Sequence, residues 1–159
     1  EEPGNLDVRT SLALGSLLAG ASFSNAMVGI VHAIGHSLGG ICISPCQAHD
    51  DLASLLRALQ PRARASCRLY GELLRALRPD LDKSSLTAEE RDILFSAALF
   101  ELNQYLHDHY DVPITLSQLG VGRDILPKVA RQARYDGAAL YNEHEVTEEI
   151  ALHILEEAY

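Results

Sequence analysis

Gly20-Ala21-Ser22-Phe23-Ser24-Asn25-Ala26-Met27-Val28-Gly29-Ile30-Val31-His32-Ala33-Ile34-Gly35-His36-Ser37-Leu38-Gly39-Gly40 is the stretch on which the reading of this chain turns. Its apolar residues recur at helical spacing, Ser24 or Asn25 offers a side-chain oxygen to cap a helix start, and Gly39-Gly40 supply the freedom a C-terminal turn needs. A helix is therefore predicted from about Asn25 to Ser37, ending before the two glycines, with His32 and His36 on one face of it. Two imidazoles so spaced can share one metal ion, or set one ligand beside a second functional ring. Satisfied histidines of a helical core show the same spacing, so the pair by itself does not decide between the two.

Working upstream, Leu12, Leu14, Leu17 and Leu18, with the small residues Ala13, Gly15 and Gly20, predict a first helix from about Val8 to Ser22. Its small residues invite close neighbours, and burial on most sides is expected. Downstream, a helix is predicted over about Asp50 to Leu59, broken by Pro61, and another over Leu69 to Leu77, stopping before Pro79. Thr87-Ala88-Glu89-Glu90 has the spacing of a capping box and opens a long helix to about His107. Pro113 forces an extended entry to Thr115-Leu116-Ser117-Gln118-Leu119-Gly120, and a helix from about Asp124 to Tyr135 tolerates Pro127 in its first turn. Thr147 caps a last helix, Glu148 to Glu157, whose first two glutamates face the positive helix end. Strand-like alternation is nearly absent and nothing repeats. The class is all-α, a helical bundle of about seven helices.

The 159 residues, 47% of them hydrophobic, suffice for one core, and a single helical domain over 1–159 is expected. The net charge of -9, from 22 acidic and 13 basic residues spread along the chain, leaves no basic stripe for nucleic acid. The longest apolar stretches, such as Leu12 to Ala21, are too short and too rich in Gly and Ser to span a bilayer, so a soluble chain is expected. Three cysteines, Cys42, Cys46 and Cys67, suit a reducing compartment better than a disulfide framework, which points to the cytoplasm. The chain opens Glu1-Glu2-Pro3-Gly4 and its one methionine is Met27, so it reads as a piece of something longer.

The stretch Gly20 to Gly40 resembles the signature helix of iron-containing (group III) alcohol dehydrogenases, in the combination of Ser24-Asn25, His32, His36 and Gly39-Gly40. The resemblance resumes at Leu69-Tyr70-Gly71-Glu72-Leu73-Leu74 and continues through Pro113 to Val121, Asn142 and Thr147-Glu148-Glu149-Ile150. It implies the C-terminal helical domain of that family, one divalent metal, Fe2+ or Zn2+, and NAD(P). The metal would polarise a carbonyl and steady the developing alkoxide of a small alcohol or aldehyde. Under the resemblance His32 is a metal ligand, and His36 is the catalytic, cofactor-side histidine at the nicotinamide and substrate. The downstream ligand position falls on Cys46, after Pro45. A nucleotide-binding domain is expected to be absent, since no glycine-rich phosphate loop follows a strand here. A separate partner chain supplying it, or a homo-oligomer, would complete such an enzyme.

The chain departs from the family at several of these positions. Cys46 stands for the family's histidine, Gln47 for its glycine, and the upstream Asp-x-x-x-His ligand element is missing, so only His32 of the ligand set is unchanged. A Cys46 thiolate can bind zinc or ferrous iron, and it can equally be an idle loop thiol. The resemblance fails from about Cys46 to Cys67. One base out of register, codons for His49-Asp50-Asp51-Leu52-Ala53 can encode Met-Thr-Thr-Leu, which resembles what the family carries, so a local frame difference is expected.

Other histidines are read as surface groups. His49 has no geometry to recommend it as a ligand, and His107 and His109, near Asp108 and Asp111, suit a solvated helix end. His144 and His153 are read likewise, while Cys42 and Cys67 show no spacing for nucleophilic catalysis. Two functions follow: a domain of an alcohol dehydrogenase, inactive alone, or a non-catalytic helical interaction or structural module derived from that fold.

Overall fold

The computed structural model describes residues 3–42, 70–81, 85–142 and 144–159. It is helical, and no strand occurs among the described residues. Among the described residues six α-helices follow one another: α1 (Leu6–Ala26), α2 (Ile30–Cys42), α3 (Tyr70–Leu77), α4 (Ala88–Tyr110), α5 (Leu126–Ala133) and α6 (Glu148–Glu157). Short 3-10 turns at Arg123–Ile125 and Gly137–Tyr141 flank α5. The helix expected over 50–59 lies outside the described residues, as does the segment of the proposed frame difference.

The locally capped helices start where their sequence says. Thr87 and Glu90 form the reciprocal capping box of α4, and the Thr147 side chain accepts the Ile150 amide at the head of α6. The segment predicted from Asp124 to Tyr135 becomes a 3-10 turn leading into α5, with Pro127 in the first turn.

The boundary between α1 and α2 is a correction. Ser24 and Asn25 do not cap α2: the Ser24 hydroxyl donates to the Gly20 carbonyl and Asn25 Nδ2 to the Ala21 carbonyl, both at 2.7 Å, which keeps them inside α1. The chain leaves α1 only at Met27, whose φ of 63 lies in the left-handed region, and α2 departs at 102°. Nor does α2 end before Gly39-Gly40; it runs through them to Cys42, since a glycine lowers helix propensity without forbidding the helix.

A second correction concerns α1 itself. Burial was expected, yet none of its residues is buried, and Leu12 and Leu17 are 74% and 69% exposed. No other described helix covers it. By contrast α2 lays Ile30, Val31, Ala33, Ile34 and Leu38 into the main core against Leu126, Val129, Ala130 and Ala133 of α5 and Ala151, Ile154 and Leu155 of α6. The loop between α4 and α5 joins this core through Leu116 and Val121, and the Leu116 amide donates to the Ala158 carbonyl at 2.8 Å. A separate small cluster packs Leu74 of α3 on Phe95 and Ala98 of α4. Among the described residues no single helix is long and apolar enough to cross a membrane.

Candidate active site

The face of α2 opposite the core carries His32, His36 and Gly40, spaced by four residues. His32 is half-buried and His36 more open, and their rings meet edge to face with centroids 5.9 Å apart. Burial holds the His32 imidazole below the ordinary histidine range, and the neighbouring His36 pushes the same way, against a weaker pull from Asp136. His32 is thus kept neutral, the form in which an imidazole lone pair can bind a metal or accept a hydrogen bond.

His36 has a partner that its own segment does not reveal. Its Nδ1 lies 3.2 Å and 3.3 Å from the two carboxylate oxygens of Asp136, one hundred residues later in the chain. Asp136 follows α5 and opens the turn Gly137–Tyr141, where its Oδ1 also accepts the Ala138 amide at 2.8 Å. At the other end of that turn, Asn142 Oδ1 accepts the Ile30 amide at 3.1 Å, while Asn142 Nδ2 donates to the His144 carbonyl. One short turn therefore grips α2 twice, at its first amide and at His36. Gly29 makes the first grip possible, because a Cβ there would stand 2.5 Å from Asn142 Oδ1.

Sequence reasoning missed Asp136 and the role of Asn142. The Asp136-Gly137 pair marks a turn, and an aspartate opening a turn caps it, but neither signal names the distant helix it touches.

Cys46 lies outside the described residues, as do His49 and Cys67. Among the described residues no group of three or more His, Cys, Asp or Glu side chains is placed to hold a metal ion. His32 is one ligand without an assembled set around it, so the described site does not by itself fit a divalent metal. Of the other described histidines, His109, His144 and His153 are exposed as expected, whereas His107 is half-buried. His107 Nδ1 meets the Val112 carbonyl and His109 Nδ1 the Tyr105 carbonyl at the end of α4, His153 pairs with Glu157, and His144 is exposed.

The whole chain, residues 1–159, matches the family described as "Fe-containing alcohol dehydrogenase family, C-terminal". It is similar to the 1,3-propanediol dehydrogenase of Klebsiella pneumoniae, 32% identical over 98% of this chain and 38% of that protein. Alcohol dehydrogenase 4 of Saccharomyces cerevisiae is 29% identical over 95% of this chain and 37% of its own length. Among solved structures, a 1,3-propanediol oxidoreductase superposes with a TM-score of 0.81 at 27% identity, over 98% of this chain and 39% of that one. The chain thus spans under two fifths of the length of these relatives.

Proposed function

Since the chain belongs to the iron-containing alcohol dehydrogenase family, through its C-terminal helical domain, we propose that it supplies the helical half of an NAD(P)-linked oxidoreductase acting on small alcohols and aldehydes. The observation that carries this reading is the pair His32 and His36, presented on the solvent face of α2 in a fold that superposes on a 1,3-propanediol oxidoreductase. In this reading His32 occupies a metal-ligand position and Cys46 the downstream one, while His36 lines the place of substrate and nicotinamide. A nucleotide-binding domain would hold the dinucleotide, which would supply the hydride chemistry there. Within the chain itself, Asp136 holds His36 in place, and the packed underside of α2 fixes where both histidines stand. With two candidate ligands rather than a full set, iron or zinc is held weakly, and the chain alone does not turn over.

A second reading, a non-catalytic interaction or structural module, draws on the exposed leucines spread around α1, of which Leu6, Leu12, Leu17 and Leu18 are all well exposed.

A graft separates the two. The corresponding segment of the K. pneumoniae 1,3-propanediol dehydrogenase is replaced by this chain, with and without Cys46→His and Gln47→Gly, and alcohol-dependent NAD+ reduction is followed. Recovery of turnover in the restored graft, abolished by His32→Ala, supports the dehydrogenase reading. A folded, restored graft without turnover overturns it in favour of the module.

A further inference from the structure

The geometry points to Asp136 as a positioning residue that fixes the tautomer of His36, with the proton on Nδ1 and an open lone pair on Nε2 that accepts a hydroxyl hydrogen. A carboxylate only accepts hydrogen bonds, so a ring nitrogen 3.2 Å from Asp136 Oδ2 must carry a hydrogen. In the neutral ring the other nitrogen, Nε2, is then the acceptor. Asp136 is not free to swing away, because its Oδ1 takes the Ala138 amide at 2.8 Å and its side chain is 22% exposed against 47% for His36. The turn it opens is tied down at its far end by Asn142 on Ile30. His32 stands edge-on to His36, with ring centroids 5.9 Å apart, and leaves the Asp136 contact to the His36 ring.

The consequence for ligand choice rests on the dehydrogenase reading above. With its lone pair on Nε2, His36 receives the O–H of an alcohol, whereas an aldehyde carbonyl, itself an acceptor, finds no donor at that atom.

The test is long-range 1H–15N correlation on the 15N-histidine-labelled 159-residue chain in mildly alkaline solution, with His36→Gln to assign the signals. A protonated Nδ1 and bare Nε2 at His36 are expected. In Asp136→Asn the amide must keep its carbonyl on the Ala138 N–H, so its NH2 turns to His36 Nδ1 and the tautomer inverts. A proton on Nε2 in the parent chain overturns the assignment, as does an unchanged pattern in an Asp136→Asn variant with native circular dichroism. If that variant does not fold, the parent spectrum decides alone. In the restored graft, Asp136→Asn is expected to lower kcat for alcohol oxidation by about tenfold or more with a smaller change in KM, and an unchanged kcat overturns the acceptor role. The spectrum needs no substrate, so failure of the dehydrogenase reading leaves the tautomer standing, and a wrong tautomer leaves family membership untouched.

Discussion

The side-chain oxygen of Asn142 caps the first amide of the histidine helix, meeting the Ile30 N–H at 3.1 Å from 112 residues away, over a glycine that has no side chain to obstruct it. The two residues act as one device. Asn142→Ala is expected to cost about 1 kcal/mol, the usual worth of a lost cap, and Gly29→Ala a similar amount, because the new methyl evicts the same amide. Urea denaturation of the two variants and the double variant should then show marked non-additivity, the double costing little more than either single change. Simple addition would mean that Gly29 is needed for some other reason.

Packing separates α1 from α2 in a measurable way. Ile34 is fully buried while Leu12 is 74% exposed. Ile34→Ala is therefore expected to cost about 2–5 kcal/mol and Leu12→Ala within about 0.5 kcal/mol. Equal losses in denaturant titrations would show that α1 is covered in solution.

The capping box of α4 carries a pH signature. The Thr87 amide and then its hydroxyl donate to Glu90 and hold its carboxyl below the usual value of 4.5. Folding favours the ionised form, so the unfolded chain binds more protons as the pH drops below 4.5, and the contribution present at neutral pH is lost through the lowered folded value. Glu90→Gln should be less stable than the parent at neutral pH, with the gap closing in acid. A gap independent of pH would assign the effect to shape rather than charge.

Metal affinity discriminates the ligand positions. Zinc titration of the 159-residue chain is expected to give weak binding, tightened by Cys46→His with Gln47→Gly and removed by His32→Ala. Tight one-to-one binding by the parent, lost in Cys46→Ser, would instead make the thiolate a full ligand.

What was legible in the sequence was what is local. Thr87 with Glu90 and Thr147 with Ile150 sit within one turn of the helices they start, and both starts are found where they were expected. The all-α class followed from helical periodicity. The break between α1 and α2 was misplaced because Ser24 and Asn25 turn their side chains back onto α1, and the true cap arrives from Asn142. His32 and His36 were recognisable as a pair, but Asp136 was not, since its tie to His36 spans one hundred residues and no spacing rule reaches that far. The exposure of α1 was likewise hidden, because apolar composition states what a helix prefers and not which neighbours are at hand.

The two separate apolar clusters set an order of disassembly. With few buried contacts to protect them, the amides of α1 should exchange with deuterated water first, those of α3 and α4, around Leu74, Phe95 and Ala98, next, and those of α2, α5 and α6 last. His32 and His36 thus stand on the portion of the chain that keeps its shape longest, and partial melting would strip the flanks while the histidine-bearing face persisted.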